Sequence, residues 1–111
     1  MTPPRAVSVR RLMRRGLRYS VGCERRCRVT ARLWISRQQA RKHELARQLG
    51  RSRRAVTVRA GASRTVVVLV GRRVRRQLHR TDARRLKATV VTLVRTKGGT
   101  QRLRHGIVLR G

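Results

Sequence analysis

Apolar side chains recur at every second position over long stretches of this chain. Leu17, Tyr19 and Val21 alternate with Arg18, Ser20 and Gly22. Val29, Ala31, Leu33 and Ile35 alternate with Arg28, Thr30, Arg32 and Trp34. A period of two puts one set of side chains on one face of a strand. With Glu24-Arg25-Arg26 as a three-residue loop, the two runs form a hairpin. Cys23 then faces Cys27, Val21 faces Val29, Tyr19 faces Ala31 and Leu17 faces Leu33. A slip of one residue would destroy this agreement.

The period then changes. Ser36 is an N-cap, Gln39 completes a capping-box pattern, and Leu45 and Leu49 stand four apart, which predicts a helix over 37–49 ended by Gly50. Val56 and Val58 alternate with Thr57 and Arg59 in a short strand, and Gly61-Ala62-Ser63 is a turn. The apolar run over 65–70 predicts a central strand or one buried on both sides, broken by Gly71. Val74 and Leu78 give residues 72–80 one apolar helical face, closed by Thr81-Asp82. Residues 86–96 read as a long strand. Lys97-Gly98-Gly99-Thr100 is a tight hairpin signal, because glycine accepts positive φ. Leu103, His105, Ile107 and Leu109 alternate with polar or small neighbours in a last strand. Near the start, residues 6–9 fit a strand, whereas Val9, Leu12 and Met13 fit a helical turn stopped by Gly16, so 1–14 is open to both.

The expected fold is mainly β: an antiparallel sandwich of six or seven strands with two short helical crossovers, one domain over 1–111. Its expected core is Leu17, Tyr19, Val21, Val29, Ala31, Leu33, Ile35, Val67, Leu69, Val91, Leu93, Ile107 and Leu109.

Several stretches carry a likeness. They are Gly16-Leu17-Arg18-Tyr19-Ser20-Val21-Gly22-Cys23, Cys27-Arg28-Val29-Thr30-Ala31-Arg32-Leu33, and the helical segment over 40–50. They continue with 66–69 and its Arg-rich helical turn, and with the Gly98-Gly99 hairpin closing on Val108-Leu109-Arg110. Over roughly residues 15–110 the chain resembles the immunoglobulin-like β-sandwich modules of secreted, GC-rich actinobacterial proteins. The resemblance implies a non-catalytic spacer or interaction module, extracellular or at the cell surface, with an unknown protein or glycan as partner.

Charge adds a second class of function. The chain has 32 Lys+Arg against 3 Asp+Glu, a formal net charge of +29. Such charge binds nucleic acid and other polyanions without sequence preference, almost whatever the fold. All the cations are Arg except Lys42, Lys87 and Lys97, and they fill polar positions along the whole chain. That pattern also arises from compositional bias. The densest clusters are Arg51, Arg53 and Arg54, then Arg72, Arg73, Arg75 and Arg76; they are the candidate polyanion contacts. Neither is interleaved with aromatics for base stacking. The alternative is therefore a small Arg-rich protein, cytoplasmic and associated with nucleic acid. It would concentrate Arg on one concave or flat face.

The remaining chemistry is sparse. With Glu24, Glu44 and Asp82 the only acids, a catalytic carboxylate pair is nearly excluded, and no nucleophile elbow or phosphate loop occurs. The chain reads as not an enzyme, with no cofactor. Cys23-x-x-x-Cys27 admits a disulfide, a metal half-site or a redox pair. The hairpin register and the resemblance both favour the disulfide. His43, His79 and His105 match no common zinc spacing, and no metal is expected. His105 sits at an apolar-parity position, which predicts a half-buried structural histidine. Trp34 falls on the face opposite Cys27. It is either an exposed aromatic contact, or packed under the 37–49 helix or stacked with Arg32. No apolar run reaches the roughly 18 residues of a membrane span, and Met1-Thr2-Pro3-Pro4-Arg5 has no signal-like apolar stretch.

Overall fold

The computed structural model describes residues 3–81 and 84–111. It contains β1 (Ala6–Ser8), α1 (Val9–Arg15), β2 (Leu17–Gly22), β3 (Cys27–Ile35), α2 (Arg37–Lys42) and β4 (Gln48–Arg51). Then follow β5 (Val56–Val58), β6 (Ser63–Val70), α3 (Arg72–Arg80), β7 (Arg85–Thr96) and β8 (Gly99–Arg110). The strands join in the order β1-β8-β7-β3-β4-β6-β2, with β5 also on β3, in one eight-stranded sheet that curls until it is nearly closed like a barrel. The fold is mainly β, as the alternation predicts. The sheet is mixed, not antiparallel throughout, because β1 runs parallel to β8.

The hairpin expected around Cys23 and Cys27 does not form. β2 pairs with β6, Leu17 opposite Val68 and Tyr19 opposite Val66, while β3 pairs with β4, β5 and β7. The alternation of both strands is nevertheless intact: Leu17, Tyr19, Val21, Val29, Ala31, Leu33 and Ile35 are all buried. Periodicity specifies which side chains share the interior. It does not say whether two strands meet edge to edge or across the core. The 97–98 turn, by contrast, makes the expected hairpin, with Thr96 opposite Gly99 at its end.

The helix predicted over 37–49 stops at Lys42. Ser36 caps it, its Oγ accepting from the Gln39 N–H at 3.2 Å. The Gln39 amide does not close a capping box. Instead it brackets the Lys87 backbone, donating to the carbonyl at 2.7 Å and accepting from the N–H at 3.0 Å. Glu44 at φ 53 turns the chain out of the helix, and the Leu45 N–H donates back to the Ala40 carbonyl at 2.8 Å. Leu45 and Leu49 are buried as their spacing implied, the second on β4. Gly50, read as a helix stop, lies where β4 crosses β6: a Cβ there would stand 2.7 Å from the Leu69 carbonyl oxygen.

At the start, the two readings of 1–14 are both realised. β1 is followed by α1, whose Ser8 cap accepts from the Arg11 N–H at 3.1 Å and whose end is Gly16 at φ 73. The structure thus has eight strands and three short helices among the described residues. Residues 72–80 form the predicted α3 with Val74 and Leu78 buried; of its expected close, Asp82 lies outside the described residues.

Two strands face the other way from expectation. Val66, Val68 and Val70 point inward and Val67 and Leu69 are only half-buried; likewise Leu86, Ala88, Val90, Thr92 and Val94 are buried while Val91 and Leu93 are half-buried. Both strands carry long β-branched runs whose two parities are equally apolar, so neighbours decide the face. Tyr19 pairs with buried Val66 on β2, and buried Leu33 and Val29 pair with Val90 and Val94.

Candidate interaction surface

Strand parity carries the charge distribution into space. Residues paired across neighbouring strands share a face. On the outside of β3, β7 and β8, the outward positions hold Arg28, Arg32, Arg85, Lys87, Arg95, Arg102, Arg104 and Arg110, with Arg51 continuing the Arg32 row onto β4. On β2 and β6 the exposed cations are Arg18 and Arg64, beside Ser20, Gly22, Ser63, Thr65, Val67 and Leu69.

At the centre of the basic face is a shallow groove of about 450 Å³. Its floor is Trp34, Thr89, Val91 and Leu93, all half-buried. The rows are set by register: Trp34 opposite Thr89, which is opposite Gly106; Arg32 opposite Val91, which is opposite Arg104; Leu93 opposite Arg102. With strands spaced about 4.8 Å, the backbones of Arg32 and Arg104 flank Val91 at about 10 Å from each other. Arg47, in the segment between α2 and β4, brings its guanidinium to 6.0 Å from the centre of the Trp34 ring, a cation–π contact. No acidic side chain among the described residues lines the groove.

Trp34 thus lies on the outer face, as its parity predicts. It is half-buried, with an arginine over its ring. The other predicted site residues scatter. Arg51 lies beside Arg32 at the groove's margin, Arg53 and Arg54 are exposed in the connection from β4 to β5, and Arg72, Arg73, Arg75 and Arg76 are exposed on α3. The rim residues Arg32, Arg47, Arg102 and Arg104 stand singly in the sequence and not in a run of arginines. The signal was present in alternation: in 28–34 and 102–110 the polar partners of apolar residues are mostly arginine.

Cys23 and Cys27 form a disulfide with Cα atoms 6.4 Å apart. It ties the end of β2 to the start of β3 as the chain passes from one wall of the barrel to the other. Inside, one polar pair joins those walls: the Tyr19 hydroxyl and Thr92 Oγ1 are 2.7 Å apart, linking β2 to β7. Burial pushes the Tyr19 phenol above its ordinary pKa of 10.0, and the Thr92 hydrogen bond partly offsets this. His105 faces inward on β8 and is half-buried, as predicted, with its Nδ1 buried and without a partner. Among the described residues no helix is long and apolar enough to cross a membrane. No protein-family model matches the chain, and no curated protein or solved structure matches it significantly.

Proposed function

We propose that this chain is a non-enzymatic, immunoglobulin-like interaction module that works outside the cell, of the kind found in secreted actinobacterial proteins. The observation that carries the reading is the strand wiring. β2 pairs with β6 while β3, β7 and β8 pair in series, and immunoglobulin-like sandwiches pair their B and E strands in one sheet and C, F and G in the other. In that correspondence the Tyr19–Thr92 hydrogen bond joins the B and F strands, which antibody domains join by a disulfide. The Cys23–Cys27 bond supports an oxidising compartment, where such bonds persist.

A second reading, binding to an anionic partner, is favoured by the uneven charge. Most arginines of the strands lie on the outside of β3, β7 and β8, and α1, α3 and the connections carry further exposed arginines. The two readings are compatible, since a secreted module can use this face.

The test is the intact mass of the protein from its natural compartment, with and without reductant. A gain of two hydrogens on reduction, assigned to Cys23 and Cys27, is the expected result. Two free thiols overturn the extracellular reading and leave the intracellular polyanion binder.

A further inference from the structure

We infer that the groove on the outside of β3, β7 and β8 docks an extended acidic polypeptide segment whose carboxylates alternate with apolar side chains. The inference rests on the reading of this chain as an interaction module and names the chemistry of its partner.

The floor and the rim make different demands. Val91 and Leu93 are half-buried apolar surface beside the Trp34 ring, and apolar groups cover such surface favourably. The rim is guanidinium on both flanks, Arg32 on one side and Arg102 and Arg104 on the other. A guanidinium has five donors in a planar fork and no acceptor, which matches a carboxylate bidentately. An apolar floor inside a charged rim, with Trp and Arg at its centre, is the anatomy of a protein-binding patch.

The same features weigh against other polyanions. Sugar hydroxyls donate as well as accept, yet the groove has no carboxylate or side-chain amide among its described lining residues to receive them. Single-stranded nucleic acid is held by bases stacked on successive aromatic rings. Here the floor is mainly aliphatic, and its one aromatic already carries Arg47 over its ring.

An extended segment fits the spacing. Alternate residues of a strand project to the same side about 6.6–6.8 Å apart, the separation of Arg102 from Arg104 along β8. Apolar side chains on one side of the segment cover Val91 and Leu93. The carboxylates between them project away from the floor, within reach of long arginine side chains from both flanks.

Trp34 is the only tryptophan in the chain, so its fluorescence reports on this groove alone. The probe is a short end-blocked peptide alternating Glu and Val, with a Glu/Gly peptide of equal charge and a thymidine oligonucleotide as comparators. At near-physiological salt the Glu/Val peptide should shift Trp34 emission saturably, and the Glu/Gly peptide should bind about tenfold more weakly or worse. Arg102→Ala with Arg104→Ala should weaken Glu/Val binding about tenfold or more. Arg72→Ala with Arg73→Ala removes the same charge from α3 and should change it by no more than about twofold. All four arginines are exposed, so each double variant keeps the fold; circular dichroism and thermal midpoints check this.

Equal losses in the two double variants overturn the inference, because net charge alone would then explain the binding. Equal affinity for the Glu/Gly peptide overturns it too, as does tighter binding of the oligonucleotide with the same Trp34 shift. Absence of Glu/Val binding by the folded protein also overturns it. That last outcome leaves the extracellular-module reading to the mass measurement, which does not depend on the groove.

Discussion

The two walls of the barrel are built to different specifications. On the outside of the β2–β6 wall Val67 and Leu69 are half-buried, while Arg18, Ser20, Gly22, Ser63 and Thr65 are exposed. Gly16 and Gly50 let backbone approach backbone, Val67 and Leu69 lie against the Gly16 corner at the end of α1, and the exposed cations of β2 and β6 are Arg18 and Arg64. On the outside of the β3–β7–β8 wall Thr30, Trp34, Thr89, Val91, Leu93 and Val108 are half-buried. Its outer surface is a field of arginines around half-buried apolar side chains, and Gly106 there has no atom within 4 Å of where a Cβ would stand. Both walls alternate with the same period. They differ in backbone approach, close at Gly16 and Gly50 and open at Gly106, and in the number of arginines on the outer face.

Adding one methyl group separates them most sharply. A Cβ on Gly16 would collide with the Val68 carbonyl oxygen, at φ 73 where a side chain is strained already. Gly16→Ala should cost about 2–4 kcal/mol, with the denaturant midpoint as the readout. Gly106→Ala on the open wall should change stability by no more than about 0.5 kcal/mol. Equal effects would erase the distinction between the walls.

The disulfide tests the seam between them. Sequence separation across it is 4, so the closed loop is short and Cys23→Ser with Cys27→Ser should cost about 2 kcal/mol in chemical denaturation. The double variant should keep the β-rich circular dichroism spectrum, because the walls are also joined through β4, which pairs with both β3 and β6. Collapse of the spectrum would mean that the crossing depends on the covalent link.

This seam also marks the limit of what the sequence discloses. The alternation in 17–22 and 27–35 assigned every inward side chain correctly, and the cysteines were rightly paired. The same pattern suggested a hairpin, because facing across a core and facing along a ladder produce identical parities. The 97–98 turn was legible because its glycines impose a local geometry. The 22–27 connection has no such residue beyond Gly22, so only the tertiary fold decides it. Val67, Leu69, Val91 and Leu93 were placed inside for a related reason: in an unbroken apolar run both faces look buried. The truncation of α2 was hidden too, since Leu45 and Leu49 satisfy a helical period and are buried regardless. The groove was half legible. Trp34 stands out by parity, whereas the rim comes from three segments, β3, the α2–β4 connection and β8, that only the tertiary fold brings together.

Inside the barrel, the Tyr19–Thr92 bond is the polar tie between the walls. Thr92 is 1% exposed, so Tyr19→Phe leaves its hydroxyl buried without that partner. The expected cost is about 1–2 kcal/mol, and adding Thr92→Val should restore much of it. The bond also has a pH signature. Burial raises the phenol's pKa in the folded chain, so the folded state holds the proton more tightly than the unfolded one. Its contribution is therefore complete below the ordinary value of 10.0 and is lost as pH rises through the folded value. Thermal midpoints of wild type and Tyr19→Phe should converge above pH 10.0. A constant gap would mean that the phenol titrates alike in the folded and unfolded chain, so that burial does not raise its pKa.

The smallest effect expected is on the open wall itself, and its sign is informative. Arg102 and Arg104 are exposed, and Arg104 shares the row of Arg32 and Arg51. Like charges this close repel, and salt screens them over about 10 Å at 0.1 M. Replacing both with alanine should raise stability by a few tenths of a kcal/mol at low salt. The gain should fade as salt is added. If the two alanines instead destabilise the fold at every salt concentration, the arginine stems are packing on Val91 and Leu93. The wall would then be closed by its own side chains, and the contrast with β2–β6 would be one of charge without openness.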